Sequence, residues 1–192
     1  RAVERREIQA LITSTTDWPH LRWHNKLPIP TAHHTSARIP NRVLYDSEQF
    51  IDLSLQALAR QGCRSVGLIA KVAPDAVASD GQPHPSARFF EKLVTVAGEL
   101  KLQIRNEWML TPRQGQSWGR RPTEQKGYEK FSEFWQLPER PDGLVVFPDA
   151  IALGVVYGLI EQRVQVPGEL KVVMHKDADV EMFCPVPVTF VT

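Results

Sequence analysis

The chain has little of what marks a nucleotide-dependent or metal-dependent enzyme. Neither G-x-x-x-x-G-K-[ST] nor G-x-G-x-x-G occurs among its 11 glycines, so no segment is suited to cradle a phosphate with backbone amides. The nucleophile elbow G-x-S-x-G is also missing. Cysteine is scarce: Cys63 and Cys184 lie far apart and form no C-x-x-C motif. That usage suits buried free thiols in a reducing cytoplasm, and leaves a disulfide between the two open. Neither has an evident neighbouring base to activate it. No run of about 18 apolar residues exists, so no membrane-spanning helix is expected. Charge of one sign is not in excess, with 23 Lys and Arg against 22 Asp and Glu. A strong nucleic-acid binder usually concentrates basic residues on one face. Here Arg1, Arg5 and Arg6 are balanced by Glu4 and Glu7. Arg113, Arg120 and Arg121 read as part of a solvated loop. Of the six histidines, His20 and His24 are four apart and His33 and His34 are adjacent. No third ligand stands at a zinc-site spacing, so these read as surface or loop histidines. No metal and no cofactor is expected.

What is present is 192 residues with 42% hydrophobic content, enough for a sizeable core in one domain or two small ones. Short apolar runs bounded by turn signals read as buried parallel strands. They are IQALIT (8–13), IPTAHH (29–34), RVLYD (42–46), SVGLIA (65–70), LQIRNEW (102–108), GLVVF (143–147) and LKVVM (170–174). Amphipathic helices lie between them. One runs from Ser47, a capable N-cap, with Ile51, Leu55 and Leu58 on one face, and stops at Gly62. A second begins near Ser86 and carries Phe89, Leu93, Val96 and Leu100. A third begins near Thr123 with Tyr128, Phe131 and Trp135. A fourth runs from Asp149, placed as its N-cap, to about Gln162, with Leu153, Val156 and Ile160 facing inward. Val72 to Pro85 reads as a loop. Alternating strands and helices predict an α/β fold with a parallel sheet.

Open parallel sheets bind ligands beyond the carboxyl ends of their strands. Those ends here carry Ser86 and Arg88 after SVGLIA, Trp108 at the end of LQIRNEW, Asp149 after GLVVF, and His175, Lys176 and Asp177 after LKVVM. Their convergence predicts a small-molecule mouth with an aromatic platform and charged anchors.

The ordered motifs of the last third resemble those of LacI/GalR-type transcription regulators. They are Asp149 before Ala152-Leu153-Gly154, then Val166-Pro167, then Pro187-Val188-Thr189-Phe190-Val191. Upstream, LARQGCRSVGLIA, PSARFFEKLVTVAGELKL and GYEKFSEFWQLPERPDGLVVF are similar to the family's successive helix–strand passages, and RVLYD to its crossover segment. The resemblance implies a periplasmic-binding-protein-like fold of two α/β subdomains, with a small-molecule effector in the cleft between them. It implies that residues 1–45 are the later part of a first, partial subdomain. Residues 46–188 would be a nearly complete second one, and 189–192 the start of a returning crossover strand. The chain starts without Met and runs straight into a core strand, and its start lacks the apolar region of a signal peptide. Further residues are therefore expected upstream, including a separate N-terminal domain for operator DNA, and a last helix and strand are expected after Thr192. A cytoplasmic homodimer is also implied.

Carried over residue by residue, the resemblance implies effector contacts by Arg88 and Asp149, ring stacking by Trp108, and a contact or hinge role for Asp46. Arg88 has the fork geometry for bidentate hydrogen bonds, and Trp108 an apolar face that suits a sugar ring. Three places depart from the pattern: Pro148 stands where an amide side chain is common, Phe89-Phe90-Glu91 lacks a small glycine, and the largest departure follows LKVVM. The family has Gly–aromatic–Asp–Asp where this chain has Met174-His175-Lys176-Asp177. Lys176 then stands where an effector-binding carboxylate is expected, with Asp177 one place on; either Lys176 favours an acidic or phosphorylated effector, or the alignment slips by one. A sugar or sugar derivative is the expected ligand class. A solute-binding protein of a sugar transporter shares the fold and is the alternative. An enzyme is the third reading, for which no nucleophile–base constellation is visible.

Overall fold

The computed structural model describes residues 2–14, 26–34, 39–71, 73–74, 86–112 and 123–192. The His20–His24 pair, Arg1, the arginines at 113, 120 and 121, and most of the 72–85 loop lie outside the described residues. The chain divides into two compact units, which part between Asp46 and Ser47.

In the first unit three short strands form a parallel sheet in the order β1 (Leu11–Ser14), β2 (Thr31–His34), β3 (Arg42–Val43). Leu11 pairs with Thr31 and His33 with Arg42. His33 is buried, and its Nδ1 lies 2.8 Å from the Thr13 hydroxyl.

The second unit holds a five-stranded sheet, all of whose pairs are parallel, in the order β5-β4-β6-β7-β8. These strands are β4 (Val66–Ala70), β5 (Met109–Leu110), β6 (Gly143–Phe147), β7 (Lys171–His175) and β8 (Thr189–Val191). Helices α1 (Ser47–Arg60) and α2 (Ser86–Glu99) cover one face, and α3 (Thr123–Trp135) and α4 (Asp149–Glu161) the other. Strand alternation sorts the side chains between two cores. Val66, Leu68, Val145, Phe147 and Val173 pack with α1 and α2, whereas Ile69, Leu144, Val146, Val172 and Met174 pack with α3 and α4. β4 and β6 are buried along their whole length, as expected where helices cover both faces of a parallel sheet.

The expected strands match β4, β6 and β7 to within a residue, and α1 and α2 bury the predicted faces. Gly62 stops α1 with φ +80°, a conformation that costs a Cβ-free residue little. Two expectations are corrected. LQIRNEW is not one strand. Gln103 makes a lone bridge to Ser65, residues Asn106–Trp108 form a 3-10 turn, and the strand is the next pair, Met109–Leu110. The Arg105 carbonyl accepts a hydrogen bond from the Trp108 amide and closes that turn.

The second correction concerns α4, which buries Ile151, Ala152, Val155, Val156 and Leu159, while Ile160 and Tyr157 are exposed. The helix is apolar nearly all round, so periodicity offers no contrast to choose a face. The face is set instead by the crossing with α3. A Cβ on Gly154 would meet the Glu124 carbonyl oxygen at 1.8 Å, and one on Gly127 would meet the Ile151 oxygen at 2.1 Å. Backbone meets backbone there, and no side chain fits.

Candidate functional site

The carboxyl ends of β6 and β7 lie side by side, because Val146 pairs with Met174. Each strand releases its chain into polar residues at that point. β6 ends at Phe147, and α4 starts two residues later at Asp149. β7 ends at His175, followed by Lys176 and Asp177. Asp149 is not the N-cap. Pro148 takes that position in an extended conformation without a side-chain cap, and Asp149 is the first helical residue. Its Oδ1 accepts the Ala150 amide at 2.7 Å, and its own amide donates to His175 Nδ1 at 3.3 Å.

Three side chains meet here. His175 Nδ1 lies 4.0 Å from Asp149 Oδ1, and His175 Nε2 lies 3.9 Å from Asp177 Oδ1. The imidazole is 8% exposed and the two carboxylates are 23% and 35% exposed. The ring stands edge-on to Phe147 and Phe50, at centroid distances of 5.1 and 5.4 Å. Burial pushes the His175 pKa below its ordinary value, and the charges of Asp149 and Asp177 offset part of that effect. A depressed pKa favours the neutral ring near pH 7, whose Nδ1 lone pair accepts the Asp149 amide.

The other residues singled out in the sequence are distributed differently. Arg88, in the first turn of α2, is exposed, and its guanidinium lies 3.9 Å from Glu48 in the first turn of α1. In chain order α2 comes after the carboxyl end of β4. Lys176 follows His175 and points to the opposite face of the sheet. Its Nζ lies 5.9 Å from the Phe190 ring, and its backbone amide donates to the Val191 carbonyl. The structure therefore separates Lys176 from the His175 cluster and brings Asp177 in. Trp108 does not reach the mouth. It is buried at the level of Gly67, two residues before the paired Leu110, and its Nε1 donates to the Glu139 carbonyl at 3.0 Å. Glu139 precedes β6, at the amino end of the sheet. Asp46 is exposed at the end of the first unit. His175 had no mark as a site residue beyond its place after an apolar strand. The signal that could have found it is the departure from Gly–aromatic–Asp–Asp.

A family model described as a periplasmic binding protein-like domain matches residues 55–192. The chain belongs to this family. The periplasmic binding protein-like match covers the whole five-stranded sheet and all three residues of the Asp149–His175–Asp177 cluster. A curated relative, the HTH-type transcriptional repressor PurR of Actinobacillus pleuropneumoniae serotype 3, is 23% identical over 149 residues. That alignment takes in 78% of this chain but 40% of the relative. Among solved structures, a LacI family transcriptional regulator of Lactobacillus casei with bound sucrose is 18% identical with a TM-score of 0.70. It is matched over 98% of this chain and 66% of its own. A putative transcriptional regulator LacI from Bacillus cereus is 15% identical, with a TM-score of 0.70, over 98% and 63% of the two chains. These matches bear out the LacI-type core and the periplasmic-binding-protein-like α/β fold expected from the sequence. No helix among the described residues is long and apolar enough to cross a membrane.

Proposed function

We propose that this domain is the effector-sensing core of a bacterial transcription regulator, and that its effector is a sugar or sugar derivative bound at the carboxyl edge of the five-stranded sheet. The observation that carries this reading is the Asp149–His175–Asp177 cluster at the edge of β6 and β7, in a domain whose relatives include transcription regulators. Carboxylates accept hydrogen bonds from sugar hydroxyls, and Arg88 supplies a fork of donors at the same edge. With Lys176 turned to the other face, the cluster favours a neutral polyhydroxylated effector over an acidic or phosphorylated one. The Lactobacillus casei regulator was solved with glucose and with sucrose, which supports the class. Trp108 and Asp46 are assigned no contact in this reading.

Effector binding then shifts the regulator between DNA-competent and incompetent states through its differential affinity for the two. Operator DNA is contacted by a separate N-terminal domain, and the protein works in the cytoplasm, without catalysis. A homodimer is supported by the outer side of α4. There Leu153, Tyr157 and Ile160 face Val180, Met182 and Phe183 across an open groove of about 540 Å³. Phe183 is 85% exposed, and a second copy covering this apolar strip would remove it from water.

A thermal-shift screen of sugars, sugar acids and sugar phosphates tests the class, with a neutral sugar expected to raise the melting temperature most. Isothermal titration of that ligand is expected to show binding abolished in Arg88→Ala, with the fold intact. Unchanged affinity would remove Arg88 from the site. Light scattering is expected to report a dimer for the native chain and a monomer for Phe183→Asp. Steady product formation from sugars or sugar phosphates would overturn the non-enzymatic reading.

A further inference from the structure

We propose that Lys71 contacts the ligand at the carboxyl edge, as the hydrogen-bond donor that flanks, with Asp149, the crevice between β4 and β6; this rests on the effector reading above. The crevice follows from topology. Counted from β4, the sheet order β5-β4-β6-β7-β8 is the doubly wound order 2-1-3-4-5. The chain leaves β4 for α2 on one face of the sheet, and leaves β6 for α4 on the other. In sheets of that order the ligand enters where the strand sequence reverses, between the first strand and the third. Those strands here are β4 and β6, whose first charged residues past the strand are Lys71 and Asp149.

The backbone of Lys71 is fixed against β6. Ala70 pairs with Phe147, and the Lys71 amide donates to the Phe147 carbonyl at 2.9 Å. The ladder therefore runs one residue past β4 and holds Lys71 beside the chain two residues before Asp149. Alternation along β4 packs Ile69 with α3 and α4, and Ala70 with α1 and α2. Lys71 thus emerges on the side where Asp149 opens α4. It is exposed, and its ammonium has no carboxylate or hydrogen-bond partner among the described residues. The other cations singled out near this edge are placed differently: Arg88 has Glu48 at 3.9 Å, and Lys176 reaches toward Phe190.

The pairing selects a chemistry. An ammonium only donates and a carboxylate only accepts, whereas a hydroxyl does both. One sugar hydroxyl, or two on adjacent carbons, can accept from Lys71 and donate to Asp149 at once. The ammonium also offsets one carboxylate, so the ligand itself needs no charge. Lys71 therefore supplies the donor half of a site for a neutral vicinal diol. No motif marks it in the sequence, because a single lysine after an apolar strand has no spacing to read.

The probes are glucose, sucrose, ribose, gluconate and glucose 6-phosphate, titrated calorimetrically into the native chain. The neutral sugar that binds most tightly is then titrated into Lys71→Met, which keeps the apolar stem and removes the donor. Its affinity is expected to fall roughly tenfold, the worth of a hydrogen bond to a charged group. Lys71→Arg, which restores a cationic donor, should lie between the two. Both variants should melt with the native chain, since the side chain is exposed. Bound sugar should also slow acetylation of Lys71 by acetic anhydride, and leave unchanged that of Lys101, exposed at the amino edge. Native affinity in Lys71→Met, or acetylation of Lys71 as fast with sugar as without, overturns the assignment and leaves the effector reading standing. Preference for gluconate or glucose 6-phosphate over every neutral sugar overturns the hydroxyl pairing. Failure of every probe to bind the native chain overturns the effector reading and this assignment together.

Discussion

Asp142 and Asp149 bracket the same buried strand, and the protein treats them in opposite ways. Asp142, at the amino end of β6, is fully engaged. It accepts the Arg64 amide at 3.0 Å and the Ser65 amide and hydroxyl at 2.8 and 2.9 Å, and its own amide donates to the Ser65 oxygen. Burial alone would raise its pKa, but these hydrogen bonds together outweigh it and hold the carboxyl below the usual range. Around it, Trp108 is bonded to the Glu139 carbonyl with the Arg105 guanidinium over its ring, and Arg140 lies over Trp135. Asp149, at the carboxyl end, accepts one local amide and otherwise stands about 4 Å from a neutral imidazole. Hydrogen bonds already made at one end hold the sheet together. At the other end the Asp149 carboxylate makes one local hydrogen bond and keeps acceptor capacity for a ligand. The lesson is that a charged residue at a strand end is a ligand candidate only after its protein partners have been counted.

The largest expected effect tests the amino end. Asp142→Ala should cost about 2–3 kcal/mol in denaturant unfolding, since it strands the part-buried Ser65 amide and loses hydrogen bonds to a charged group. Asp149→Asn should cost less than about 1 kcal/mol, near the worth of a charge at a helix N-terminus. Equal costs would erase the distinction between the ends. Acid titration sharpens it further. Because the native Asp142 pKa is lowered from 3.8, its stabilising contribution is complete above that value. It is lost as pH falls through the lower native pKa. Melting curves of Asp142→Asn should therefore converge on those of the native chain in acid and fall below them at neutral pH.

A smaller effect is expected at Trp108. Trp108→Phe removes the indole N–H from the Glu139 carbonyl and should cost about 1 kcal/mol with effector affinity unchanged. A large loss of affinity would return Trp108 to the site. Smallest of all is the expected silence of Cys63. Burial first, and then the charge of Asp142, push its thiol up to about 11. At pH 8 a thiol reagent should therefore label Cys184 in the native chain and reach Cys63 only after denaturation, as peptide mass mapping would show.

Much of this architecture was legible in the residues. GLVVF and SVGLIA are continuous apolar runs, and a strand covered on both faces needs nothing else. Phe89, Leu93 and Val96 recur with helical period and are buried as that period requires. The misreadings share one cause, a loss of contrast. In α4 every face is apolar, so the buried one is chosen by the glycine crossing with α3. Along β7 both faces are buried, so hydrophobicity could not tell that His175 stands beside Phe50 and Phe147 whereas Lys176 reaches toward Phe190. Trp108 ended a segment of strand-like alternation, yet a 3-10 turn placed its ring at the other end of the sheet.

The sequence by itself determined the order of strands and helices, the family, and the edge of the sheet where polar residues gather. Those depend on local patterning, which each segment carries alone. Which of the polar residues meet was decided by the tertiary structure. The distances between Asp149, His175 and Asp177 depend on strand register and on the side to which each residue points. Both are settled by packing between segments far apart in the chain.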